Sequence, residues 1–262
     1  MSRPQDARAR AARFLEAAGG ELERRAVAAL LGAAPVGELQ DWLAQGQRAD
    51  GGFTDSADAD RPSLAEMRRV LGLLSDLRAL ESPVAQRACA WLDRAQAPDG
   101  HWGGDGEVEE HLVETGLLAG LLARATCART AMLDAALDFL ASHWTPDRVK
   151  GVAWEAVAGY AASFANLPHD LGDEILQWCG RELERGYRAG RFDAVSTARV
   201  LLWCDAPVLP GGRVTAGELV EALLAEQAED GGWPVPDDAA PETRVARSLD
   251  ALVALLRFAP AS

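Results

Sequence analysis

The chain has 262 residues, 48% of them hydrophobic, enough for a packed core, which rules out a disordered tail or a small disulfide-stapled scaffold. Its 40 Asp and Glu outnumber 26 Lys and Arg to leave a net charge of -14, a surface that repels phosphate backbones, so nucleic acid and anionic membrane are not expected partners. No apolar run approaches the roughly 18 residues of a spanning helix, and the opening MSRPQDARARAAR lacks an apolar stretch with a cleavage site, so a cytoplasmic protein with no integral membrane segment is expected.

Isoleucine occurs once, at Ile175, and tyrosine twice, while Ala, Leu, Arg and Glu abound, so the palette favours helix over strand. In chain order, a hairpin of helices is expected over 5–18 and 21–32, broken at Gly19-Gly20. Amphipathic helices are then expected near 36–47, 83–96, 129–143, 170–186 and 215–228. More apolar helices alternate with them, near 62–80, 109–125, 148–164, 193–204 and 241–258. Cys89, Cys127, Cys179 and Cys204 lie far apart with no CxxC pair and read as small buried side chains.

Three of the turns between these helices are alike: WLAQGQRADGGF from Trp42 to Phe53, WLDRAQAPDGHW from Trp91 to Trp102, and LLAEQAEDGGW from Leu223 to Trp233. Each ends a helix at Gln, turns on Asp-Gly or Gly-Gly, and closes with an aromatic. Weaker echoes, FLASHWTPDRV from Phe139 and WCGRELERGYRAGRF from Trp178, restore a period of about 40 to 50 residues, the signature of stacked helical pairs. The glycines permit the positive φ that reverses the chain, the Gln amide bonds free groups at the helix end, and the aromatic seals the two layers.

The pattern QxxDGxW, present as Gln47 to Phe53, Gln96 to Trp102 and Gln227 to Trp233, resembles the QW repeat of squalene and oxidosqualene cyclases, class II terpene cyclases and protein prenyltransferase β subunits. The resemblance implies an all-α fold, an α/α toroid of about six helical hairpins in two concentric rings. The toroid is expected to take in 1–262 as a single domain, with residues 1–35 forming the hairpin that closes the ring. It also implies a deep apolar interior that accepts an isoprenoid chain, open where the inner helices begin.

The zinc ligands of the protein prenyltransferases are not matched: Ala153 and Glu155 stand where their Asp and Cys would fall, and the helix from Pro241 has no His. No metal and no cofactor are therefore expected. The bases that hold a lipid diphosphate in those enzymes are matched by His111, Arg148 and Lys150, with a helix cap or a bond to Thr115 as the structural alternative for the histidine. Class II cyclases protonate an alkene with the middle Asp of a DxDD motif. Asp58-Ala59-Asp60-Arg61 is similar to it, with Arg61 in place of the last Asp, a neighbour that works against a retained proton on Asp60.

Two further carboxyls are candidates for the acid: Asp193, which either caps its helix or reaches the cavity mouth, and Glu155, which either faces the cavity or pairs with a base. Trp154, Tyr160, Phe164 and Trp203 are candidates to line the cavity and stabilise carbocations through their π faces. There is no Gly-rich phosphate loop and no DDxxD cluster, and DDAAPE from Asp237 reads as a solvated loop. The expectation is an enzyme resembling the terpene cyclases, a lyase or isomerase acting on a polyprenyl or polyprenyl diphosphate substrate by acid-initiated, metal-independent cyclisation. The alternative is a non-catalytic toroid that binds isoprenoid or protein, and a zinc-dependent prenyltransferase fits least. Asp60, Glu110, His111, Arg148, Lys150 and Asp193 are expected around a shared mouth.

Overall fold

The computed structural model describes residues 3–55, 58 and 60–259. Among them the chain forms twelve α-helices and no strand: α1 Arg3–Ala18, α2 Glu21–Leu30, α3 Val36–Gly46, α4 Leu64–Asp76, α5 Pro83–Ala95, α6 Val108–Leu122, α7 Thr130–Ser142, α8 Trp154–Asn166, α9 Gly172–Arg188, α10 Ala194–Trp203, α11 Ala216–Glu226 and α12 Pro241–Phe258. The all-α class is as expected. No helix of the described residues is long and apolar enough to cross a membrane.

Helix starts follow from local chemistry. Ser63, Ser82, Asp193 and Thr215 each accept a bond from the amide three residues on, which satisfies one of the free donors of α4, α5, α10 and α11. Pro83 and Pro241 open α5 and α12, where a missing amide hydrogen costs nothing. The largest departure is at α8, expected from 148. Pro146–Arg148 forms instead a single 3-10 turn, Gly151 takes φ of 74°, and the helix begins only at Trp154.

The three repeat turns are superimposable in their bonding. Gln47 Nε2 donates to Gly51 O at 2.9 Å and to Val84 O on α5 at 3.0 Å. Gln96 Nε2 donates to Gly100 O at 2.8 Å and to Met132 O on α7 at 2.9 Å. Gln227 Nε2 donates to Gly231 O at 2.8 Å and to Ala7 O on α1 at 2.9 Å. Each amide thus ties its own turn to the next odd-numbered helix, and the third ties α11 back to the start of the chain. Gly51, Gly100 and Gly231 have φ of 93°, 97° and 96°, and a Cβ on them would lie 2.3, 2.1 and 2.4 Å from a carbonyl oxygen of that neighbouring helix. The turn therefore needs glycine for its φ and for its close approach. Trp102 and Trp233, 1% and 0% exposed, each donate an indole N–H to the helix before the turn, at Leu92 O and Leu223 O. Their amides bond Thr115 Oγ1 and Ser248 Oγ on the helix after it.

Among the even-numbered helices α4 packs on α6, α6 on α8, α8 on α10, α10 on α12 and α12 on α2, and the Arg69–Glu23 ion pair joins α4 to α2. The tightest of these contacts is between α6 and α8. A Cβ on Gly116 would lie 2.6 Å from the Gly159 carbonyl carbon, and Ser163 Oγ donates to Gly116 O at 2.7 Å. Close backbone approach here requires the glycine pair.

Candidate functional site

Cross-contacts set the direction of the even helices. Gly116 and Gly120 on α6 meet Gly159 and Ala162 on α8, while Asp193 and Arg199, before and on α10, pair with Arg247 and Asp250 on α12. Both sets ascend together, so these neighbours run parallel, with N-termini at one end.

The sequence candidates at that end take distinct roles. Asp60 is exposed, with no ion pair among the described residues. Asp58 Oδ1 accepts the Asp60 and Arg61 amides at 3.0 and 3.2 Å, which organises the loop, and Asp58 is exposed as well. Asp193 is the helix cap: Oδ1 accepts the Ser196 amide at 2.9 Å, and Oδ2 takes the Ser196 hydroxyl and Arg247 Nη1. Burial alone would raise this carboxyl, but Arg247 and the Ser196 amide prevail and hold it below its ordinary range. A carboxylate so stabilised is not a proton donor near neutral pH. Glu155 is half-buried in the first turn of α8 and has no bonded partner among the described residues.

The candidate diphosphate bases do not form one set. Arg148 is paired with Glu109 in the first turn of α6, and its Nε reaches His143 O at 3.4 Å. Lys150, expected to open α8, lies exposed in the loop before it. His111 is buried and stacked on His101, centroids 4.0 Å apart, with Nε2 unbonded, while Thr115 is taken by Trp102. Tyr160 faces away from the even helices' interior. It is buried edge-on against Trp144, with its hydroxyl toward Leu140 O of α7.

Trp154 and Trp203 do line a chamber between α2, α4, α8, α10 and α12, of about 310 Å³, with their rings stacked at 6.0 Å. Leu22, Leu73 and Leu249 supply apolar wall, but Glu23, Arg68, Arg69, Asp76, Arg199 and Asp250 line it too. The interior is therefore narrower and more charged than a purely apolar cavity. The cause is Arg199, whose Nη1 lies 2.8 and 2.9 Å from the two Asp76 oxygens while its Nη2 bonds Asp250. Burial raises the Asp76 carboxyl, with Asp250 adding to the rise and Arg199 opposing it. Glu114, beside Arg68 at 3.5 Å, is likewise raised by burial. Arg199 is kept charged against its burial by Asp250 and Asp76, and it lies 5.5 Å over the Trp203 ring.

At the opposite end, Asp76 also borders a second cavity of about 670 Å³, with Arg78, Arg124 and Arg257 in its wall. Arg257 donates to Asp76 O, and Arg124 donates to Leu202 O at 3.3 Å, so guanidiniums tie together the C-terminal ends of α12, α4, α6 and α10. Arg78 and Asp205, at φ of 55° and 49°, hold the left-handed positions that end α4 and α10.

Sequence reasoning missed Asp76, Arg199, Asp250 and Glu114. Glu114 and Arg199 are charged residues inside largely apolar helices, the criterion that singled out Glu155, whereas Asp76 and Asp250 lie on helices that carry several other charges and gave no such signal. Among the described residues no group of three His, Cys, Asp or Glu is placed to hold a metal ion.

No family model and no curated protein sequence matches the chain. Among solved structures it is similar to one described as the crystal structure of a protein from Actinoplanes, with a TM-score of 0.65 at 15% identity, over 98% of this chain and 99% of that one. The likeness extends over both chains from end to end and is a likeness of fold.

Proposed function

We propose that the cycle of even helices is the inner ring of an α/α toroid, that the chamber binds an isoprenoid hydrocarbon, and that the protein cyclises it by acid initiation without a metal. The acid is Asp76 rather than Asp60. The observation that carries this reading is the buried carboxyl group of Asp76 in the wall of a chamber that also holds the stacked Trp154 and Trp203. Asp76, Arg199 and Asp250 together carry one excess negative charge when all are ionised. Asp250 is 33% exposed and Asp76 only 9%, so of the two carboxyls burial favours the protonated form at Asp76, against the pull of Arg199. That proton passes to a terminal alkene carbon, an internal alkene closes the ring on the resulting cation, and loss of a proton ends the reaction. The tryptophan faces are suited to the cation between those steps. Such a protein works in the cytoplasm on a small substrate.

The chamber sets the scale of the substrate: about 310 Å³ is at the low end for a ligand site and suits a short prenyl chain better than a triterpene. The test is incubation of the purified chain with geranyl, farnesyl and geranylgeranyl diphosphates, followed by extraction of products. Wild type is expected to yield cyclic product, and Asp76→Asn, which keeps shape but cannot give the proton, to lose at least about 100-fold in rate. A folded Asp76→Asn that turns over at the wild-type rate would refute this assignment of the acid.

A second reading, a toroid that binds without catalysing, is favoured by one observation. Arg199 already contacts both Asp76 oxygens and lies over Trp203, where the substrate alkene and its cation would be held. Saturable binding of a prenyl chain with no product from any of the three diphosphates would select it.

A further inference from the structure

Cys89 lies on α5, 2% exposed, and Cys127 is half-buried in the loop between α6 and α7. The two are 38 residues apart in sequence, yet their Sγ atoms are separated by 2.7 Å. A disulfide bond of about 2.05 Å is thus less than about 1 Å away. As thiols the pair gains little from this approach, because S–H is a weak donor and sulfur a weak acceptor. The loop that carries Cys127 is held in place independently of the sulfurs. Thr126 donates its amide, at 3.2 Å, and its hydroxyl to the Glu81 carboxylate, and Cys127 Sγ faces Leu80 O at 3.9 Å. Leu80, Glu81 and Arg124 are also wall residues of the 670 Å³ cavity.

We propose that Cys89 and Cys127 are a modification site, a dithiol that closes to a reversible intrachain disulfide and pins the α6–α7 loop to α5 beside that cavity. Oxidised glutathione, or another small disulfide, is the oxidant. The Cys127 thiol, the more accessible of the two, loses its proton to water and attacks one glutathione sulfur. The S–S bond breaks, and one glutathione thiolate leaves with the electron pair and takes up a proton. Burial raises the Cys89 thiol, so it enters second, against a mixed disulfide already in contact with it. Its proton goes to solvent as its sulfur attacks that of Cys127, and the second glutathione leaves. Two protein thiols are oxidised and one glutathione disulfide is reduced to two thiols. Cys179 and Cys204 are buried on α9 and after α10 and stay as thiols.

The full-length chain treated with oxidised glutathione, then alkylated under denaturing conditions and mapped by mass spectrometry, tests the proposal. The expected result is a linked pair of peptides containing Cys89 and Cys127, with two alkylated thiols left and full reversal by dithiothreitol. Closing a loop of this length constrains the unfolded chain, so oxidation is expected to raise Tm by about 5 °C or more. Cys127→Ser should fold, show three alkylated thiols after the same treatment and lose the Tm shift. Cys89→Ala removes the resolving thiol, so the same treatment should stop at a glutathione adduct on Cys127 with no internal bond and no Tm shift. In the wild type, four free thiols after oxidation, glutathione adducts without an internal bond, or a bond to Cys179 or Cys204 would each overturn the proposal.

Discussion

Arg199 on α10 and Asp76 on α4 are 123 residues apart in sequence, and the guanidinium Nη1 meets both carboxylate oxygens, at 2.8 and 2.9 Å. Both side chains are about nine-tenths buried, and the pair borders the chamber on one side and, through Asp76, the second cavity on the other. A buried pair of this kind is costly to break from one side only. Arg199→Met leaves two carboxyls facing each other without their cation and is expected to cost about 3 to 5 kcal/mol, measured by urea unfolding at neutral pH. A change under 1 kcal/mol would show that the cross-interior link carries no structural weight.

The repeat turns are the second point of leverage. Gln96→Ala removes one bond within the turn after α5 and one from that turn to α7, for an expected cost of about 1 to 3 kcal/mol. Gly100→Ala is expected to cost at least as much, since its Cβ would lie 2.1 Å from Ala135 O at a φ of 97°. Thermal unfolding of the two variants measures both, and Gln227→Ala, which unties α11 from α1, should behave like Gln96→Ala.

These turns were also what the sequence made most legible. Gln, Asp-Gly and aromatic recur at Gln47, Gln96 and Gln227 because each does the same local job, so the pattern carries over directly into helix order. The start of α8 was not legible in that way. The apolar run suggested a helix from Arg148, but Pro146 and Gly151 spend those residues on a 3-10 turn and a left-handed bend. The chemistry was less legible still. Asp60 drew attention through its neighbours in sequence, and those same neighbours make it an exposed loop residue. Asp76 becomes notable only through Arg199 and Asp250, more than 120 residues away, a distance no local pattern bridges.

Asp193 and Arg247 make stability depend on pH in a known direction. A carboxyl held below its ordinary value by the fold contributes stability that is present above its unfolded pKa of about 4 and is lost as pH falls through the folded value. Asp193→Asn keeps a cap but loses the pair, so it should cost about 0.5 to 1 kcal/mol at pH 7 and progressively less below pH 4. Urea unfolding of wild type and variant across that range gives the difference. A gap that widens on acidification would reverse the assigned sign.

Arg78 ends α4 in the left-handed region that glycine usually occupies, at φ of 55°. Arg78→Gly removes that strain and is expected to stabilise the fold by about 0.5 to 1 kcal/mol, read as a rise in Tm. A loss of stability would mean that the arginine side chain contributes more at the second cavity than its backbone costs.

The reaction itself is tested most directly by isotope. If an enzyme carboxyl starts the cyclisation, a prenyl diphosphate incubated with the protein in D2O must acquire one deuterium, on the ring methylene formed from the terminal alkene CH that receives the proton, because Asp76 exchanges with solvent. Mass spectrometry and NMR of the extracted product are expected to show one deuterium per molecule at that position. Cyclic product without deuterium would contradict acid initiation, and no product at all would leave the chamber as a binding site.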